Sequence, residues 1–131
     1  HPVDLSATGA LAKLLIAQSR FGEAVSLLSE ALPHFRRAPG ERSAASTARM
    51  LVLLGRSRGK LAASNEEFHA AERELLEAEA TLVGIPGQKP TDRGDCLAAL
   101  VELYAAWDKF APGAGHAESS ASWQSKLDAA K

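Results

Sequence analysis

One spaced pattern limits the fold of this chain more than any other feature. Phe21-x2-Ala24-x3-Leu28-x2-Ala31 returns 47 residues later as Phe68-x2-Ala71-x3-Leu75-x2-Ala78. Steps of three and four residues bring side chains to one face of an α-helix. The small residues Ala24 and Ala71 let two helices of a hairpin come close, and Leu28 and Leu75 fill the space beyond. A looser echo joins Leu11-Ala12-x2-Leu15 to Leu100-Val101-x2-Tyr104. A helical unit that recurs at long period buries its face on its neighbours, which is how stacked solenoids are built.

The rest of the chain has the same periodicity. Asp4 caps a first helix with Leu5, Thr8, Leu11, Ala12, Leu15 and Ile16 at helical spacing, ending near 18–20. The second starts near Phe21; Pro33 leaves its end open, and Ala38-Pro39-Gly40 is a loop. A third, over 43–63, presents Ala48, Leu51, Val52, Gly55, Gly59 and Ala62, and its glycines require another backbone close by. Ser64 and Glu67 form a capping box for the fourth, which ends at Gly84-Ile85-Pro86-Gly87. Thr91 caps a fifth, with Leu97, Leu100, Val101, Tyr104 and Trp107. The sixth runs from His116 or Ala117 toward Ala130, with Ala121, Trp123 and Leu127 inward. Short connections make successive helices antiparallel. The expectation is a single all-α domain over 1–131: three antiparallel hairpins, about 4–37, 42–84 and 91–130, stacked as a solenoid without strands.

Composition excludes several function classes. A net charge of −1 gives no global pull toward nucleic acid or anionic lipid. Cys96 is the single cysteine, so there is no internal disulfide and no cysteine metal cluster, as suits a reducing, cytoplasmic setting. No apolar run reaches the roughly 18 residues of a membrane span. The chain opens on His1-Pro2 without a signal-peptide pattern and reads as a fragment of a larger protein. His1, His34, His69 and His116 are too far apart for a helical metal pair, and Cys96 has no histidine near it in sequence. No catalytic residue, metal site or cofactor is expected. Trp107, Trp123, Tyr104 and Phe110 read as packing of the last hairpin rather than a stacking strip for bases.

The run Leu11 to Ala31 resembles a tetratricopeptide repeat, and the long spacing between hairpins is closer to the kinesin-light-chain-like variant. Arg56 to Lys60 with Phe68 to Leu76, Leu100 to Trp107 and the closing Ala121 to Leu127 are similar to the last repeats of bacterial proteins in which such repeats follow a serine/threonine kinase domain. No glycine-rich phosphate loop or His-Arg-Asp catalytic loop is present here. The period of 47 exceeds the family's 34, Arg58 stands where the repeat has an apolar residue, and Asp108 replaces a turn glycine. The resemblance implies a right-handed array that binds a protein or peptide along the first helices of its hairpins. The alternative is a purely structural or regulatory segment of a larger bacterial signalling protein, its inner face filled by a neighbouring domain.

Charge is also patterned. Arg36, Arg37, Arg42, Arg49, Arg56, Arg58 and Lys60 are opposed in their stretch only by Glu41, whereas Glu66, Glu67, Glu72, Glu74, Glu77 and Glu79 are opposed only by Arg73. The two stretches either flank one another as neighbouring helices or leave a basic patch for an acidic partner. Carrying the family register over Ala24, Ala71 and Tyr104 assigns the groove to Gly9, Lys13 and Ile16, then Arg56, Lys60 and Ala63, then Ala98, Glu102 and Ala105. Lys13, Arg56 and Lys60 make one half positive; Glu102 makes the far half less so. Leu5, Ala12 and Ile16 are expected to form an apolar strip on the first helix, able to support a weak homodimer through the first hairpin. A carboxylate clamp of the chaperone-binding kind needs polar side chains where Gly9 and Ala98 fall, and no asparagine lies on this face. Fluorescence anisotropy with chaperone carboxyl-terminal tails should therefore show no binding; saturable binding would contradict the register.

Overall fold

The structure, a computed structural model, describes residues 5–38 and 40–130, except the side chains of residues 5, 6, 41 and 42. The expected Asp4 cap, Pro39 and the side chain of Leu5 lie outside this description. Six helices follow one another: α1 (Leu5–Ala17), α2 (Phe21–Arg37), α3 (Glu41–Leu61), α4 (Asn65–Val83), α5 (Pro90–Phe110) and α6 (His116–Ala129). Among the described residues there is no strand.

The connections reverse the chain by identifiable local chemistry. After α1, Ser19 takes a left-handed backbone (φ 59°). Its N–H donates to the Ile16 carbonyl at 2.9 Å, and the Arg20 N–H donates to the Leu15 carbonyl at 2.8 Å. This is a Schellman closure with serine in the position glycine usually takes. Pro33 does not end α2, which continues to Arg37. Before α4, Ser64 Oγ accepts the Glu67 N–H at 3.2 Å, and Glu67 reaches back to the Ala63 N–H at 3.3 Å, one residue beyond the expected box. Thr91 does not cap α5: Lys89 holds the cap position and Pro90 opens the helix. Proline's fixed φ suits that first helical position, where a missing N–H costs nothing.

The recurring pattern marks equivalent buried stripes. Ala24, Leu28 and Ala31 of α2 are buried, and so are Ala71, Leu75 and Ala78 of α4. Between them runs α3, buried from Met50 through Gly55 without a break. A helix apolar all round belongs in the interior. One side of α3 joins Ala12, Leu28, Ala31 and Phe35 through Met50, Leu53 and Leu54. The other joins α4 and α5 through Ala48, Leu51 and Val52, meeting Leu75, Leu82, Leu97-flanked Cys96, Leu100 and Leu103. Successive helices pack in pairs; α3 also touches α1 and α5, while the backbones of α2, α4 and α6 stay apart. The sixth helix departs from expectation: Ala121 is exposed, and Trp123 and Leu127 are only half-buried.

Gly55 is where α4 comes closest. A Cβ there would stand 2.6 Å from Leu75 Cγ, 2.8 Å from Leu75 Cδ2 and 3.3 Å from the Ala71 carbonyl oxygen. Gly22, at the start of α2, has nothing within 4 Å of its would-be Cβ. Gly55→Ala is expected to lower stability by about 1–2 kcal/mol, because overpacking outweighs the helix-propensity gain. Gly22→Ala should raise it by about 0.5–1 kcal/mol. Urea unfolding of the two variants checks both signs.

Candidate functional site

The sparse contact between α1 and α3 leaves a cleft of about 660 Å³. Its wall on α1 is Gly9, Ala10, Lys13, Ile16 and Ala17; Phe35, Met50 and Leu53 supply apolar surface, and Arg49, Arg56, Asp92 and Asp95 supply charge. Gly9 matters to the shape: a Cβ there would meet Met50 Cε at 3.1 Å. A second, much smaller hollow of about 30 Å³ lies between α3 and α5. Gly55, Gly59 and Leu103 line it, and Arg56, Lys60 and Glu102 surround it.

Of the groove residues expected from sequence, Lys13, Ile16 and Arg56 come together in the large cleft with Gly9. Lys60 and Glu102 line the small hollow instead, with Arg56 common to both. Ala63 is exposed in the α3–α4 connection, Ala105 is exposed on α5, and Ala98 is half-buried; none of these three lines either cavity. Arg49, Met50, Leu53, Asp92 and Asp95 were not among the expected residues. The unbroken apolar run Met50–Leu54 was their available signal, since one stripe cannot account for it.

The electrostatics differ from a positive half and a weaker far half. Arg56 Nε stands 3.6 Å and Lys60 Nζ 3.9 Å from the Glu102 carboxylate. Two reversals make α3 and α5 run the same way, which brings Glu102 level with both cations rather than to the far end. Arg49 donates to Asp92 at 2.9 Å. Arg56 Nε is buried with no acceptor within hydrogen-bond distance. The basic and acidic stretches do flank one another in part: Arg58 pairs with Glu74 at 2.9 Å, and Arg36 with Glu77 at 2.5 Å. The Arg36 hydrogen bond holds Glu77 below the usual carboxylate range. Burial pushes Glu74 upward despite Arg58.

The aromatic residues knit α4 to α5 and α6 rather than only the last hairpin. Trp107 is buried and stacks on Phe68 (5.4 Å between centroids) and on His116 (4.0 Å). Its Nε1–H donates to Asn65 Oδ1 at 2.9 Å, and Tyr104 donates to Glu72 at 2.5 Å. Trp123 is half-exposed, with Lys126 Nζ 4.2 Å above its ring. Among the described residues no group of three His, Cys, Asp or Glu side chains could hold a metal ion. No helix of the described residues is long and apolar enough to cross a membrane. No protein-family model, no curated protein and no solved structure matches the chain.

Cys96 is fully buried and donates to the Leu75 carbonyl at 3.4 Å. Burial, and then the charge of Glu79, push its thiol up to about 12. Tyr104 is raised as well, by burial and then by its bond to Glu72. Both groups ionise more readily unfolded than folded. Their contribution is therefore complete below the unfolded thiol value, near 9, and is lost as pH rises toward 12. The urea midpoint should fall between pH 9 and 11, less steeply in Cys96→Ala; an equal fall in that variant would count against the assignment.

Proposed function

We propose that this chain is a tetratricopeptide-like right-handed array that holds a peptide or a neighbouring domain in the α1–α3–α5 cleft, as a binding module rather than an enzyme. The supporting observation is the cleft itself, large enough for several side chains, with apolar Ile16, Phe35, Met50 and Leu53 beside charged Lys13 and Arg56, the Arg49–Asp92 pair and Asp95. Such a mixture suits an amphipathic segment whose apolar residues enter the cleft and whose carboxylates meet its cations. The pairing of successive helices, together with the α1–α3 and α3–α5 contacts, supports the stacked reading.

Arg56 gives the acidic preference a physical basis. Its Nε is buried without an acceptor, and Glu102 at 3.6 Å is too distant to satisfy it. Turning the guanidinium toward an incoming carboxylate frees this group from a position that costs about 1–3 kcal/mol. Lys13 is exposed on the opposite wall, and the same carboxylate-rich segment can reach it. Lys60, over the smaller hollow, contributes less than the sequence pattern implied.

Acidic amphipathic peptides, and the same peptides with charge reversed, can be titrated by fluorescence anisotropy at two salt concentrations. The acidic set should bind, and salt should weaken it. Lys13→Glu/Arg56→Glu is expected to weaken binding at least about tenfold, or 1.4 kcal/mol. Lys13→Glu alone should leave the thermal midpoint close to that of the parent, because Lys13 is exposed and exposed charges contribute little to stability. Unchanged binding in the double variant would place the interaction elsewhere on the protein.

A further inference from the structure

The two walls of the α1–α3–α5 cleft carry opposite charges. Lys13 on α1 and Asp95 on α5 both line it and are both exposed. Neither joins an ion pair among the described residues. The cations of the floor are placed otherwise: Arg49 is held by Asp92 at 2.9 Å, and Arg56 stands 3.6 Å from Glu102. The described parts of α1 and α5 do not touch, so α3 lies between them. Register brings the two unpaired charges to one height. The Met50 methyl comes within 3.1 Å of where a Cβ on Gly9 would stand, and Lys13 follows Gly9 by one turn. Asp92 meets Arg49, and Asp95 follows Asp92 by nearly one turn. Because α1, α3 and α5 run the same way, both charges come about level with Leu53 on the apolar floor. Ile16 lines this cleft and Ala12 is buried in the core, which corrects the exposed apolar strip expected of them on the first helix.

We propose that the occupant of the cleft is a single α-helix with flanks of opposite sign, its carboxylates toward α1 and a lysine or arginine toward Asp95 of α5. The inference rests on the cleft being the binding site and specifies what enters it. Backbone chemistry selects a helix over an extended segment. Every lining residue belongs to a helix, whose backbone groups are engaged in that helix's own hydrogen bonds. Ser46 is the one neutral polar side chain of the lining, and its hydroxyl already accepts from Arg49 at 3.1 Å. An extended peptide would bury its own N–H and C=O groups there without partners, whereas a helix satisfies them internally. Charge complementarity sets the flanks. On a helix, the residues before and after an apolar contact residue lie about 100° to either side of it. A leucine placed on Met50 and Leu53 therefore turns one neighbour toward Lys13 and the other toward Asp95. An acid and a base on either side of that leucine meet both walls; two acids leave a carboxylate beside Asp95. Either order of acid and base serves, since turning the helix end for end exchanges its flanks.

The probes are side-chain-stapled helical peptides of about four turns with one leucine face. One carries glutamate on one flank and lysine on the other, a second carries glutamate on both, and a third carries lysine on both. A fourth keeps the composition of the first but has a central proline and no staple. Fluorescence anisotropy with the whole chain should rank the two-signed helix first, at least about threefold tighter than the glutamate-only helix, because one exposed attraction has been exchanged for a repulsion. The proline peptide should not bind. Asp95→Asn should remove the preference, and Asp95→Lys should reverse it in favour of the glutamate-only helix, with the helical circular dichroism spectrum unchanged in both. Equal binding of the two-signed and glutamate-only helices, or a ranking indifferent to both Asp95 variants, would overturn the inference. If those helices still lose affinity in Lys13→Glu/Arg56→Glu, the cleft remains the binding site and only its assigned occupant is wrong. Binding of the proline peptide as tight as that of the helices would likewise overturn the helical occupant alone. No binding by any of the four peptides would overturn both readings.

Discussion

The approach of α3 to α4 at Gly55 sets the spacing on which the rest of the molecule depends. The Leu75 side chain and the Ala71 carbonyl occupy the volume a Cβ would need. With α4 drawn in this far, Leu75 also presents its carbonyl to Cys96, and α5 enters the same core. Leu103 of α5 then comes within 3.2 Å of where a Cβ on Gly59 would be. Two glycines one helical turn apart thus admit α4 and α5 in succession. Their helix-propensity cost, about 1 kcal/mol each, is small against the apolar surface that the close packing removes from water.

Because α3 is interior, its cations must find partners on more than one neighbour. Arg58 turns to α4, whereas Arg49, Arg56 and Lys60 turn to α5. The acidic α4 divides its carboxylates likewise: Glu77 goes to Arg36 of α2, and Glu79 to Arg93 of α5. These pairs are partly exposed and contribute modestly to stability. Their larger effect is on the surface potential, since they neutralise most of what the sequence presents as a basic stretch. The cleft keeps its character through Lys13, through the incompletely satisfied Arg56, and through apolar walls.

Helix α1 bounds the cleft. It touches α3 only lightly, which opens the cleft on one side, and among the described residues Leu11 and Leu14 are exposed. At the other end α6 is polar outside and presents no comparable strip. The two ends of the molecule are therefore chemically unlike.

The sequence by itself determined the helices and their principal buried stripes. Residues such as Leu28, Ala31, Leu75 and Ala78 recur at three- and four-residue spacing, and that spacing is a local property of the chain. Helix ends were legible where a side chain supplies the cap, as at Ser64, and misread where proline geometry takes over, as at Pro90. The family register carried over from the resemblance grouped Lys13, Ile16 and Arg56 with residues that lie apart, such as Ala63 and Ala105; the three themselves line the cleft. Only the tertiary structure decided that Glu102 stands level with Arg56 and Lys60, that Leu11 faces water while Ala12 does not, and that Trp107 binds α4 to α6. Each depends on which side of a helix meets which neighbour, and at what height. Periodicity determines the faces of one helix, but not the rotation and shift with which two helices meet, because those follow from the volumes of side chains far apart in the chain.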